Sequence, residues 1–139
     1  MNKIKPAEDF DRIVHILFAD DDPNFLDTAR RLLERLGYIV TSATNSDEAM
    51  TLIKEHHEVF DIIITDYSMP GINGFELAEQ TNKFLMNIPI ILYTGRIEPI
   101  DEEQIAEAGI AEIVRKPCTI KDLDTVIRKV LGLPEEACL

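Results

Sequence analysis

The chain has 139 residues, room for one domain with a hydrophobic core and too little for two. Hydrophobic residues make up 45% of it, which excludes a disordered chain, and no stretch approaches the roughly 18 apolar residues that span a bilayer. Lys and Arg number 14 against 26 Asp and Glu, a net charge of −12, so the chain alone lacks the basic face that nucleic-acid binding needs.

Residues 1–12 contain no apolar run of the kind that drives secretion and read as an N-terminal extension on a cytoplasmic protein. The run 14–19 is short, apolar and β-branched, as a buried strand should be. It ends in three consecutive acids, Asp20, Asp21 and Asp22, the last placed before Pro23 to cap a helix. Phe25, Ala29, Leu32, Leu33 and Leu36 then recur at helical spacing, and Gly37 supplies the stop. A second strand, 38–43, leads to Thr44, and a second helix opens with Ser46, Asp47 and Glu48. The third strand, 61–65, runs into Asp66. Phe75, Leu77, Ala78, Phe84 and Leu85 predict a third helix, ended before Pro89. Strand 89–93 leads to Thr94 and Gly95, and a short helix over 102–108 is stopped by Gly109. A last strand, 113–115, runs into Lys116 and Pro117. Leu123, Val126, Ile127, Val130 and Leu131 make one helical stripe, with Thr119 and Asp122 spaced as a capping box. The domain therefore occupies 13–132 and leaves 133–139 as a C-terminal tail.

Five alternations of strand and helix predict a doubly wound α/β fold, a five-stranded parallel sheet in the order 2-1-3-4-5 covered by five helices. Ligands of such sheets bind beyond the carboxyl ends of the strands, at the switch point. The four strands that reach this crevice bring Asp20, Asp21 and Asp22; Asp66; Thr94; and Lys116. Strand 2, at the edge, brings only the Thr44 hydroxyl. Each of these has an ordinary explanation alone, since Asp after a strand often caps a helix and a strand-end Lys is usually solvated. Their joint placement makes a pocket. Three carboxylates within about 5 Å repel by roughly 3 kcal/mol per pair at an effective dielectric near 20, so they hold a proton or recruit a cation. Cys118 and Cys138 form no ligand spacing with each other or with His15, His56 and His57, and read as reduced thiols. An all-oxygen site suits Mg²⁺, Mn²⁺ or Ca²⁺ over zinc. Mg²⁺ commonly takes one or two carboxylates plus phosphate oxygens, which points to phosphoryl chemistry, with Lys116 as point charge and Thr94 as hydroxyl donor.

The strings ILFADDDP, IIITDYSMPGINGFEL, IILYTG and IVRKP, in order and in register from about residue 14 to 131, resemble the response-regulator receiver family of two-component signalling. The resemblance implies that Asp66 accepts a phosphoryl group from a phosphohistidine on a sensor histidine kinase or phosphotransfer protein. It makes Asp21, Asp66 and the main-chain carbonyl of Ser68 the ligands of Mg²⁺, with Mn²⁺ as the substitute ion and Asp20 acting through a water. Thr94 and Lys116 would contact the phosphoryl oxygens, and the Lys116–Pro117 peptide is expected to be cis. The family also implies phosphorylation-dependent dimers through the face of helix 4, strand 5 and helix 5. Met69, Pro70 and Gly71 match the turn after the acceptor, and Pro followed by Gly suits a type II turn on its own. The stretch from strand 4 to helix 5 is similar to receivers attached to hybrid sensor histidine kinases.

Three positions depart from the family pattern: Ile113 where Tyr or Phe is frequent, Cys118 where a larger hydrophobe is common, and Asn73 in place of a frequent Asp. Without the aromatic, the response to phosphorylation is expected to run through Thr94 and the loop 96–100. A haloacid-dehalogenase-type phosphatase is excluded, because Asn24 stands where its motif needs Thr or Val. No glycine-rich turn follows strand 1, which excludes a dinucleotide or P-loop site. Phe25 at the sixth loop position excludes an EF-hand. The remaining alternative is a receiver-fold scaffold that binds a partner without being phosphorylated.

Overall fold

The computed structural model describes residues 13–84, 87–95 and 101–134. Strand β1 (His15–Ala19) leads to α1 (Pro23–Arg35), β2 (Ile39–Ala43) to α2 (Ser46–His56), and β3 (Ile62–Asp66) to α3 (Gly74–Phe84). β4 (Ile90–Thr94) leads to α4 (Glu102–Glu107), and β5 (Ile110–Arg115) to α5 (Ile120–Leu131). All strand pairs are parallel, in the order β2-β1-β3-β4-β5. This is the doubly wound sheet that the alternation predicts. No described helix is long and apolar enough to cross a membrane.

The central strands are apolar without interruption because both faces are buried. Ile16, Phe18, Ile62, Ile64, Ile91 and Tyr93 join Leu26 and Leu33 of α1 and Leu123 and Ile127 of α5 in one core. Their strand neighbours Leu17, Ala19, Ile63, Ile90 and Leu92 pack with Ala49 and Ile53 of α2 and Leu77 and Ala78 of α3 in the other. Truncating a fully buried residue such as Ile63 to Ala costs about 2–5 kcal/mol, a large part of a small domain's stability.

Local signals set the helix ends. Asp22 caps α1, its carboxylate accepting from the Asn24 and Phe25 amides, and Gly37 follows the helix at φ 102°. Thr119 and Asp122 form the expected reciprocal capping box on α5. α2 is capped by Asn45, so Ser46 is its first helical residue.

Several boundaries differ from the pattern reading. β3 and β4 each run one residue further, because the parallel ladder pairs Asp66 with Tyr93 and Thr94 with Arg115. Asp66 and Thr94 are therefore the final residues of their strands. β5 starts three residues earlier than the apolar run, since an edge strand exposes Ala111 and pairs Glu112 with Lys129. A 3₁₀ turn over His57–Val59 follows α2 without a sequence signal. Leu32, Leu36 and Phe84 are apolar but exposed: the buried line of α1 is Leu26, Ala29 and Leu33. Leu85 and the loop 96–100 lie outside the described residues.

Candidate functional site

The carboxyl ends of β1, β3, β4 and β5 converge as the strand order requires. Asp20 follows β1 and is buried, with its amide donating to Ala43 O at 3.0 Å and its Oδ1 accepting from the Asp22 amide at 2.9 Å. Asp21 beside it is exposed. Asp66 ends β3 in a buried position, and oxygens of Asp20, Asp21 and Asp66 all lie within 4.8 Å of one another. From β5, Lys116 reaches across: its Nζ stands 3.1 Å from Asp66 Oδ2 and 3.5 Å from Asp20 Oδ2. The Lys116 amide donates to Thr94 O at 2.8 Å, which ties the lysine to the end of β4, where Thr94 is buried. The Lys116–Pro117 peptide is cis. Ser68 is exposed in the β3–α3 loop, two residues beyond Asp66.

That loop is held from two sides. Pro70 O accepts from the Ser46 amide and, at 2.9 Å, from its hydroxyl, and Gly71 takes the positive φ of 92° that a type II turn needs at its third position. Asn73 caps α3 by accepting from the Glu76 amide at 2.8 Å, while Glu76 accepts from the Asn73 amide at 3.0 Å. An amide oxygen does this as well as a carboxylate, so the replacement of Asp by Asn leaves the cap intact.

The charges are unevenly matched. Burial pushes the Asp20 carboxyl above its ordinary value, and Asp66 and Asp21 add to the rise against the Asp22 amide and Lys116. Burial also works against the Lys116 ammonium, yet its contacts with Asp66 and Asp20 outweigh that and carry its pKa upward. Asp20 Oδ2 is buried with no hydrogen-bond partner. Lys116 Nζ, 3.5 Å from that oxygen, sets one positive charge against three clustered carboxylates, an imbalance that a hard divalent cation relieves. The donor set, all oxygen, fits Mg²⁺.

Two residues that the sequence pattern did not assign to the site complete the surroundings. The Phe25 and Tyr93 rings stack at 5.6 Å with planes 14° apart, and Lys116 Nζ lies over both. Burial pushes the Tyr93 phenol up to about 12, with the Cys118 thiol adding to the shift. Cys118 is half-buried and free. Tyr93 immediately precedes Thr94, and Phe25 sits in the first turn of the helix that Asp22 caps; only the fold shows that they meet.

Residues 16–128 match the response regulator receiver domain family. The chain belongs to that family. This receiver domain is 31% identical to the two-component response regulator ARR14 of Arabidopsis thaliana, the match covering 78% of this chain and 33% of that protein. It is 28% identical to the response regulator SaeR of Staphylococcus aureus, with 86% and 51% covered. The receiver thus spans about a third to a half of these curated relatives. Among solved structures, a receiver domain protein from Clostridium thermocellum superposes with a TM-score of 0.80 at 28% identity, covering 86% of this chain and 94% of that one. The response regulator TrrA of Thermotoga maritima, in complex with Mg²⁺ and BeF, superposes at 0.76 with 29% identity, covering 85% and 99%.

Proposed function

We propose that this receiver domain takes a phosphoryl group onto Asp66 from a phosphohistidine of a sensor histidine kinase or phosphotransfer protein, in a Mg²⁺-dependent reaction in the cytoplasm. The observation that carries the proposal is the Lys116 ammonium 3.1 Å from Asp66 Oδ2, at a cluster of three acids within 4.8 Å. An aspartate kept only as a helix cap has no use for such a neighbour. Asp21, Asp66 and the main-chain carbonyl of Ser68 would hold the Mg²⁺, for which Mn²⁺ would substitute, and Asp20 would act through a water. The ion supplies positive charge against the carboxylates and the incoming phosphoryl group.

An oxygen of ionised Asp66 attacks phosphorus as the P–N bond to the donor imidazole breaks. The imidazole nitrogen keeps the bonding pair and takes up a proton from solvent water, leaving an acyl phosphate on Asp66. Lys116 and Thr94 meet the phosphoryl oxygens with charge and a hydroxyl. The domain spans 13–132, with 1–12 and 133–139 as extensions, and turns over no separate substrate. Its phosphorylated form pairs through the face of α4, β5 and α5.

Intact-mass measurement after incubation with acetyl phosphate and Mg²⁺ tests this. One phosphate is expected on the wild type, and none on Asp66→Asn or in EDTA. A wild type that stays unlabelled overturns the proposal and leaves a scaffold that binds its partner unphosphorylated.

A further inference from the structure

Lys116 carries a flexible stem, and its ammonium has two kinds of neighbour. On one side are the carboxylates of Asp66 and Asp20. On the other are ring faces: Nζ stands 5.0 Å from the Tyr93 centroid and 5.8 Å from that of Phe25, both inside the roughly 6 Å over which a cation is drawn to an aromatic face. Phe18 closes the group edge-on, 6.0 Å from Phe25 and 6.3 Å from Tyr93. Tyr93 is thus locked by packing, only 4% exposed, while Phe25 is half-buried against it.

We propose that the stacked pair Phe25 and Tyr93 is a positioning device for Lys116, a cation–π seat that keeps the ammonium over the crevice. It rests on Asp66 as the phosphoryl acceptor. When Asp66 becomes an acyl phosphate, Lys116 must leave the carboxylate oxygen for a phosphoryl oxygen. During that exchange the ring faces hold the ammonium near, because their attraction does not depend on Asp66. Tyr93 and Phe25 act through the lysine and touch no reacting atom.

The test compares the wild type, Tyr93→Phe, and a variant carrying pentafluorophenylalanine in place of Tyr93, which keeps the ring shape and reverses the sign of its face. The first readout is the proton shift of the Lys116 ε-methylene in Mg²⁺-free protein; the second is the rate of labelling by acetyl phosphate with Mg²⁺. The wild type and Tyr93→Phe should show ε-protons upfield of free lysine and label within about twofold of each other. The fluorinated protein, shown to be folded by its circular dichroism, should move those protons toward the free value and label about three- to tenfold more slowly. A fluorinated variant that labels at the wild-type rate, or wild-type ε-protons at the free-lysine position, overturns the seat. If the wild type takes no label, the acceptor role of Asp66 fails, and the ε-proton shifts alone decide the seat.

Discussion

Gly74 presses its bare α-carbon against the main-chain oxygen of Asp66: a Cβ at residue 74 would stand 2.2 Å from that oxygen and 2.9 Å from Leu92 Cδ1. The first turn of α3 is thereby packed directly onto the peptide of the acceptor, and the Gly74 amide donates to Tyr67 O at 2.8 Å. The Leu92 methyl is the end of a side chain, but the nearer neighbour is backbone and cannot turn aside. Gly74→Ala must shift the end of β3 or the start of α3, and should cost about 1–3 kcal/mol in a urea titration. It should also slow labelling of Asp66, since the carboxylate moves with its backbone. An unchanged urea midpoint would show that the helix start slides without resistance.

Asp20 makes stability depend on pH in an unusual direction. Burial first, then Asp66 and Asp21, hold its folded pKa above the ordinary value of 3.8. A carboxyl in that state binds its proton more tightly when folded. The stability from that proton is complete below pH 3.8 and is lost as pH rises through the higher folded value. Asp20→Asn keeps an acceptor for the Asp22 amide and removes the charge. In EDTA at pH 7 it should melt roughly 2–5 °C above the wild type, with the gap closing as pH falls toward the unfolded value. Equal midpoints at pH 7 would show that Lys116 already compensates the buried charge.

Asp21 is the exposed member of the acid cluster, so it can bring its carboxylate to a cation at little desolvation cost. Asp21→Ala should weaken Mg²⁺ binding by about tenfold or more in calorimetry, ahead of Asp66→Asn and Asp20→Asn. A dissociation constant equal to the wild type's would place the ion elsewhere.

Far from the crevice, Asp124 of α5 is 3% exposed and accepts from the Tyr38 hydroxyl, while Arg128 Nε lies 3.2 Å from both of its oxygens. Asp124→Ala removes the buried carboxylate that Tyr38 and Arg128 share, while the half-buried guanidinium keeps Pro134 O, to which its Nη1 donates at 2.9 Å. A loss of about 2–3 kcal/mol in chemical unfolding is expected, against about 1 kcal/mol for Tyr38→Phe. Equal losses from the two variants would mean that the ion pair contributes nothing beyond the phenol.

The order of the sheet and the convergence of Asp20, Asp66, Thr94 and Lys116 were legible because buried parallel strands are uninterrupted apolar runs, and each of these residues ends one or directly follows it. β5 was legible only in its last half, since an edge strand with Ala111 exposed carries a mixed pattern. Asp66 and Thr94 read as the residues after their strands, because the extra ladder pair depends on the neighbouring strand. Leu32 and Leu36 misled, as a helical apolar stripe is wider than the line that packs. The stacking of Phe25 on Tyr93 joins residues far apart in the chain and left no periodic trace. Ile113 marked a missing aromatic on β5; that Tyr93 of β4 lies against Lys116 is visible only in three dimensions.

The strand order also bears on how the molecule is made. β1 is synthesised first but lies between β2 and β3, and its partner on the β3 side arrives 46 residues later. At about 5–20 residues per second, a growing chain leaves that side of an apolar strand without its hydrogen-bonding partner for roughly 2–9 seconds. Until Ile62 and its neighbours emerge from the ribosome, that side of β1 is a template for unwanted strand pairing, which a holding chaperone would cover.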